Sequence, residues 1–138
     1  MNIFNLLTTK KDVCYLEGNM TIADALSELN QNGYTAVPVI DAEGRYISTV
    51  TEGDFLRYIY DCDFNTGPLN ENILTDLPIR RDVRPVHVTA ALNDLVESAK
   101  TQNFVPVVDD REIFIGIVTR KDLIVYACRN IVPQKQEM

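Results

Sequence analysis

The chain has 138 residues, of which 46% are apolar and 24% charged, so its composition is that of a folded globular protein with one compact domain or two small subdomains. A net charge of −7 argues against a general nucleic-acid binder, and no apolar stretch is long enough to span a membrane. The three cysteines have no metal-site spacing and the chain begins without a basic, apolar leader, so a cytoplasmic protein is expected.

The first half of the chain predicts the order β-α-β-β-α. A short strand is expected at Val13–Leu16, and Thr21 then opens a helix whose apolar residues recur at the i, i+3, i+4, i+7 spacing of one buried stripe. Gly33 favours the end of that helix. The remaining elements of this half are two strands and a second helix, at Ala36–Ile40, at Tyr46–Val50 and from about Thr51 onward.

A polar segment, residues 61–77, follows this first half. Its start has the first three ligand types of a calcium loop, but Thr66 stands where the loop needs glycine and Asn72 where it needs a bidentate glutamate. We therefore expect no metal site and interpret the segment as a solvated linker. The basic group that follows is expected to lie on a solvated face and consists of Arg80, Arg81 and Arg84.

The second half repeats the first at an offset of 68 residues. The stretch Val37-Pro38-Val39-Ile40-Asp41 falls on Val105-Pro106-Val107-Val108-Asp109, and Val50-Thr51-x-x-Asp54 falls on Val118-Thr119-x-x-Asp122. Internal repetition of this kind predicts two copies of one structural unit, neither of them large enough to bury its sheet alone. The strands expected in this half are Val86–Val88, Val105–Val108 and Ile113–Val118.

The predicted fold is therefore α/β, with two β-α-β-β-α repeats packed about a pseudo-two-fold axis. The first repeat is expected over residues 8–60 and the second over residues 78–130, with residues 61–77 between them. The polar residues 131–138 are expected to form a flexible tail.

The repeated Thr-x-x-Asp has two interpretations that do not exclude each other. At the start of a helix it is a capping box, in which the threonine hydroxyl accepts an N–H from the first turn. It also suits a nucleotide, because free N–H groups at a helix N-terminus bind phosphate and an aspartate accepts hydrogen bonds from a ribose diol. In the second half, Arg120 and Lys121 follow the threonine directly and add positive charge for phosphate.

The stretch Gly33-Tyr34-Thr35-Ala36-Val37-Pro38-Val39-Ile40-Asp41, followed by Val50-Thr51-x-x-Asp54, resembles a cystathionine-β-synthase (CBS) domain. Its echo makes the chain resemble a tandem CBS pair, or Bateman module, over about residues 8–130. The overall pattern is similar to small stand-alone bacterial CBS-pair proteins, some of which bind cyclic di-AMP. The resemblance implies a regulatory homodimer that needs no cofactor, binds AMP, ADP, ATP, S-adenosylmethionine or cyclic di-AMP, and signals to a target protein.

The resemblance also implies which residues contact the nucleotide. The two motifs supply the phosphate and ribose contacts, through Thr51, Asp54, Thr119 and Asp122. One base pocket is implied at Tyr34, Thr35, Ala36 and Pro38, with counterparts at Asn103, Phe104 and Pro106. Two residues of the first strand, Val13 and Cys14, are implied to touch the base, and two cations, Lys11 and Arg120, to reach phosphate.

Two departures from the family pattern affect this expectation. Phe104 stands where the family has a small residue and can fill the second pocket or stack on a base, so one well-formed site per chain is expected. Glu52 in the first motif opposes phosphate. The aspartates of both motifs favour a mononucleotide, whereas Arg120 and Lys121 favour cyclic di-AMP, and these residues leave the choice open.

The sequence gives less support to functions other than nucleotide binding. The sole histidine, His87, has no sequence-adjacent partner for acid–base chemistry, so we expect no catalytic residues. A CBS pair that has lost its ligand and serves as a dimerisation module is the main alternative, favoured by Phe104 and Glu52. A DNA-binding regulator is disfavoured by the acidic charge and by the lack of a helix-turn-helix segment.

Overall fold

A computed structural model describes residues 2–131, with the backbone alone for the last two of these. Most of the tail expected over residues 131–138 lies outside the described residues. Within the described residues the fold is α/β, with five α-helices and two sheets. Within the described range, no helix is both long and apolar enough to cross a membrane.

The elements follow the predicted order in both halves, with a short additional strand before the first half and a short additional helix between the two halves. The strands are β1 (Thr8–Thr9), β2 (Leu16–Glu17), β3 (Ala36–Ile40), β4 (Tyr46–Thr51), β5 (Val86–His87), β6 (Phe104–Val108) and β7 (Phe114–Thr119). The helices are α1 (Ile22–Asn32), α2 (Glu52–Asp61), α3 (Gly67–Glu71), α4 (Leu92–Ala99) and α5 (Arg120–Ile131).

The chain divides into two compact units that are not simply its two halves. The first-repeat unit holds residues 14–84 together with 111–113. Among the described residues, the second-repeat unit holds 2–13, 85–110 and 114–131. Each unit has its own apolar core.

The first-repeat unit has a three-stranded sheet in the order β2-β3-β4, with β2 parallel and β4 antiparallel to β3. Helix α1 begins as predicted, because the hydroxyl of Thr21 accepts the N–H of Asp24. It ends as predicted at Gly33, which adopts a left-handed conformation (φ 69°) that costs glycine little.

The second-repeat unit has a four-stranded sheet in the order β1-β7-β6-β5. Its register repeats that of the first sheet: Val37 faces Val50 across β3 and β4, and Val105 faces Val118 across β6 and β7. A β-bulge also falls at the same place in each sheet, after Val39 and after Val107. The offset of 68 is therefore preserved in the strand pairing.

The segment 61–77, expected to be solvated, contributes to the core of the first-repeat unit. Leu69, Leu74 and Leu77 are buried there, Leu69 on α3 and the others on and beside a 3₁₀ turn. Burial of three leucines from one segment offsets the entropy cost of ordering it, which is why it is not a free linker.

The N-terminal segment completes the second-repeat unit. Ile3 and Leu6 are buried in its core, and β1 pairs with β7 so that Thr8 faces Ile117 and Thr9 faces Gly116. A Cβ on Gly116 would lie 2.2 Å from the carbonyl oxygen of Thr8, far inside contact distance. Glycine is thus required where the two backbones meet.

Candidate functional site

The first Thr-x-x-Asp motif forms a complete capping box at the start of α2. The Thr51 hydroxyl accepts the N–H of Asp54 at 3.4 Å, and one carboxylate oxygen of Asp54 accepts the N–H of Thr51 at 2.8 Å. The capping interpretation of the motif is therefore realised in this repeat.

The Asp54 carboxylate is also the centre of a buried ion-pair cluster. Its side chain has 0% exposure, and Oδ1 accepts Nη2 of Arg57 at 2.9 Å and Nη1 of Arg81 at 2.7 Å. Burial raises the pKa of the Asp54 carboxyl, but the hydrogen bonds from Arg81 and Thr51 outweigh it and hold the pKa below its ordinary value. Asp54 therefore stays ionised at neutral pH.

Arg81 does not lie on a solvated face as expected. Its second terminal nitrogen donates to the carbonyl oxygen of Thr49 at 2.6 Å, so the guanidinium bridges α2 and β4. Arg80 and Arg84 are exposed, as expected of the basic group. Arg84 pairs with Asp82, and its hydrogen bonds lower the pKa of Asp82 to about 2.

The second motif has the same helix cap but a different carboxylate environment. The Thr119 hydroxyl accepts the N–H of Asp122 at 3.1 Å, as in the first repeat. The Asp122 side chain is half-buried, and its carboxylate accepts no hydrogen bond and forms no ion pair with any group that the structure describes. The two aspartates match in sequence, but the carboxylate of Asp54 is hydrogen-bonded within the protein and that of Asp122 is not bonded to any described group.

Arg120 lies against the C-terminal end of α4. Its Nε donates to the carbonyl oxygen of Ala99 at 2.7 Å, and its Nη atoms lie 3.4 Å from the carbonyl oxygen of Lys100 and from Oδ1 of Asn103. The second repeat lacks a glycine equivalent to Gly33, so this side chain binds the last helix carbonyls instead. The Arg120 guanidinium is already partly engaged.

The implied base-pocket residues of the first repeat lie on β3 and in the two residues that precede it. Tyr34 and Thr35 are exposed, while Ala36 is half-buried and Pro38 is buried in β3. Cys14 precedes β2 and packs against the core, where burial and then Glu28 raise the pKa of its thiol.

The counterparts in the second repeat lie on β6. Pro106 is buried, and Phe104 is half-buried directly opposite Thr119 of β7, where the first repeat places Ala36 opposite Thr51. Phe104 is not among the side chains that make up the apolar core of this unit within the described range. The strand pairing thus sets Phe104 opposite the motif threonine.

The remaining implied contacts of this unit lie in a 3₁₀ turn, Lys10–Asp12, which packs against β7. Lys11 is exposed there, and Val13 closes the turn by donating its N–H to the carbonyl oxygen of Lys10. The turn thus brings Lys11 into the unit that carries Asp122.

His87 has partners that the sequence did not indicate. Its Nε2 lies 2.5 Å from Oδ1 of Asp110, and its Nδ1 accepts the N–H of Thr89 at 3.1 Å. Because Nδ1 accepts from Thr89, Nε2 is the nitrogen that donates to the Asp110 carboxylate. No group of three or more metal-ligating side chains occurs among the residues that the structure describes.

An apolar groove of about 410 Å³ lies between α1 and α2 in the first-repeat unit. Its lining includes Tyr34 and the start of α2, together with apolar side chains of both helices: Leu26, Leu29, Phe55, Leu56 and Ile59.

The CBS domain family model matches residues 6–61 and 74–128, which is most of the chain. The chain belongs to the CBS domain family. It is a CBS pair, with one domain match in each repeat.

Several known proteins are similar to this chain. An uncharacterised protein of Methanocaldococcus jannaschii is 29% identical over 124 residues, which are 84% of this chain and 44% of that relative. This CBS pair therefore spans less than half the length of that curated relative. A crystal structure of CbpB in complex with c-di-AMP superposes with a TM-score of 0.86 at 22% identity, covering 99% of this chain and 90% of the other. CBSX2 in complex with AMP gives a TM-score of 0.71 at 22% identity, covering 94% and 97%.

The contact of Arg81 with Asp54 was not predicted from the repeated motif. A signal for it exists in the sequence: Arg80-Arg81-Asp82-Val83 echoes Lys10-Lys11-Asp12-Val13 at an offset of 70 residues. The stretch at 10–13 precedes the first CBS repeat but belongs to the second-repeat unit. The stretch at 80–83 precedes the second CBS repeat but belongs to the first-repeat unit. Arg81 and Lys11 are thus counterparts, as Asp54 and Asp122 are.

Proposed function

We propose that this CBS pair is a cytoplasmic regulatory protein that binds an adenine nucleotide through its second motif and passes the signal to a target protein. The observation that supports it is the Asp122 carboxylate, which stands at the start of α5 with its acceptor positions unused by any described group. From the sequence, Phe104 counted against the second site and Glu52 against the first, and the hydrogen bonds made by Asp54 now favour the second motif.

The chemistry of these residues suits each part of a nucleotide. The Asp122 carboxylate can accept both hydroxyls of a ribose, and the first N–H groups of α5 and the Thr119 hydroxyl can donate to phosphate. Lys11 and Lys121 are exposed cations of the same unit. Phe104, beside Thr119, offers a ring face on which a base can stack.

The solved neighbours favour an adenine ligand, since one was crystallised with c-di-AMP and another with AMP. Regulation follows if the nucleotide binds one of two states of the protein more tightly, which shifts the affinity for a partner by the same coupling free energy.

A thermal-shift panel tests the proposal with AMP, ADP, ATP, S-adenosylmethionine, cyclic di-AMP and cyclic di-GMP. A ligand at 100 times its dissociation constant stabilises the native state by about 2.7 kcal/mol, enough to raise the midpoint by several degrees. We expect the rise with an adenine ligand but not with cyclic di-GMP. It should be lost in Asp122→Asn and kept in Asp94→Asn, a first-turn aspartate of α4 in the same unit.

A flat panel on folded protein would contradict the proposal. It would favour the second candidate, a CBS pair without ligand that acts as an interaction module, for which the internally paired Asp54 is the supporting observation. Arg120 is unsuitable as a test residue, because its replacement would also remove the cap of α4.

We also propose that the protein forms a homodimer through its helices. Leu56, Tyr60 and Phe64 recur at i, i+4, i+8 along and just beyond α2, and all are at least 62% exposed. Ile124 of α5, the repeat counterpart of Leu56, is also 62% exposed. The exposed apolar stripe on α2, with an exposed apolar residue at the matching position of α5, favours a self-complementary contact.

Sedimentation velocity tests the homodimer. The wild type is expected to sediment as a dimer, and Leu56→Glu as a monomer, because a charge in an apolar contact is costly to bury. Gln31→Glu, an exposed site on α1 outside the groove, should remain dimeric. A wild-type protein that sediments as a monomer at a concentration of roughly tens of micromolar would exclude a stable dimer.

A further inference from the structure

The Asp54 carboxylate has no acceptor position left for a ribose. A carboxylate offers about four lone-pair positions. Oδ1 accepts from Arg57 and Arg81, and Oδ2 accepts the N–H of Thr51 at 2.8 Å and its hydroxyl at 3.2 Å. All four positions are therefore used by the protein itself.

Arg81 is held at Asp54 from several directions. Its two terminal nitrogens bind Asp54 and the carbonyl oxygen of Thr49, and its side chain is only 33% exposed. Two residues later, the carbonyl oxygen of Val83 accepts the hydroxyl of Tyr46 at 2.6 Å, which fixes this segment beside β4. A forked, partly buried arginine of this kind differs from an exposed ion pair, which exchanges readily with water.

The second repeat offers the same positions without this closure. Lys11, the counterpart of Arg81, is exposed, and no ion pair joins it to Asp122 among the groups that the structure describes. A lysine ammonium is a compact, strongly hydrated charge and cannot bridge two acceptors as a planar guanidinium does. The residue type at this position therefore separates a closed motif from an open one.

We propose that Arg81 closes the first Thr-x-x-Asp motif to nucleotide, so that each chain binds its ligand at the second motif alone. The inference rests on the proposed function. It adds that Asp122, and not Asp54, binds the ribose, and that Arg81 is the residue that causes this difference. Removing Arg81 frees one acceptor position on Oδ1 and the space that the guanidinium fills. Arg57 remains on the same oxygen, so Asp54 keeps a charged partner and the fold is retained.

Equilibrium dialysis with AMP, and separately with cyclic di-AMP, tests the closure. The proteins are the wild type, Arg81→Gln, Asp54→Asn, Asp122→Asn, the double variant Arg81→Gln/Asp122→Asn, and Arg84→Gln as the control. Arg84 is a charge-matched residue of the same segment, 86% exposed and paired with Asp82. Arg81→Lys, which keeps the charge but cannot fork, replaces Arg81→Gln if that variant does not fold.

The expected result is a gain of binding. The wild type and Arg84→Gln should bind one nucleotide per chain, and Asp122→Asn should lose at least tenfold in affinity. Arg81→Gln should bind a second nucleotide, and the double variant should bind at least tenfold more tightly than Asp122→Asn, because its first motif is open.

The other outcomes separate the two proposals. If Arg81→Gln leaves the wild-type stoichiometry unchanged, or weakens binding as a lost phosphate ligand would, the closure is wrong and the nucleotide function stands. If Asp54→Asn abolishes wild-type binding while Asp122→Asn does not, the first motif is in use and the closure is again wrong. If none of these proteins binds either nucleotide, the proposed function itself is overturned together with the closure.

Discussion

Replacing Asp54 by alanine is expected to lower the free energy of unfolding by about 3 kcal/mol at pH 7. The change removes half of the capping box of α2 and leaves the guanidiniums of Arg57 and Arg81 without their shared carboxylate. Both arginines keep contact with water, which places the cost at the lower end for a broken buried ion pair. Urea unfolding of the two proteins measures the difference.

The repeat supplies the control for this prediction. Asp122→Ala removes the matching aspartate, whose carboxylate has no described partner, so only the interaction with the helix dipole is lost, worth less than about 1 kcal/mol. Equal losses in the two variants would contradict the ion-pair cluster of the first motif.

The stability difference should also depend on pH in a defined direction. The pKa of Asp54 is lower in the folded protein than the ordinary value of about 3.9 that it has when unfolded. Its contribution is therefore complete above about pH 4 and is lost as the pH falls through the folded pKa. The difference between wild type and Asp54→Ala should shrink steadily as unfolding is measured at pH values that fall further below about 4. A difference that does not change with pH in this acid range would exclude an ionised carboxylate as its source.

Gly116→Ala is expected to destabilise the second-repeat unit by roughly 3–5 kcal/mol. The new Cβ would meet the backbone oxygen of Thr8, so β1 must leave β7. With it go the strand hydrogen bonds and the burial of Ile3 and Leu6. Urea unfolding gives the size of the loss, and hydrogen exchange at Thr8 and Thr9 shows whether β1 has separated.

Ser48→Ala is the matched control, because Ser48 occupies the position of Gly116 in the first repeat and already carries a Cβ. It should unfold within about 0.5 kcal/mol of the wild type. Retained exchange protection of Thr9 in Gly116→Ala would show that the sheet adapts without releasing β1, contrary to the prediction.

Local signals predicted much of this fold. Thr21 and Gly33 mark the ends of α1 because their capping chemistry acts within a few residues, and the repeat fixed the strands because its offset persists through both of them. The family followed from the same motif residues, and the domain matches agree with it.

Contacts between distant parts of the chain were not predictable in this way. Arg81 and Asp54 lie 27 residues apart, and nothing in either local pattern indicates that they meet. Leu69, Leu74 and Leu77 follow no helical or strand period, so their burial is not predicted by the sequence pattern. The candidate site was recognised at its helix ends, but the state of each carboxylate depends on such distant partners.

The pairing of β1 with β7 has a consequence for biosynthesis. Thr8 and Thr9 leave the ribosome before the whole of the first-repeat unit, and their partner strand follows only near the end of the described chain. The first-repeat unit can acquire most of its contacts before β7 is made, whereas the second-repeat unit must wait until β1 and β7 are both available. Closing so long a loop costs conformational entropy, so we expect the pairing of β1 with β7 to form late in folding.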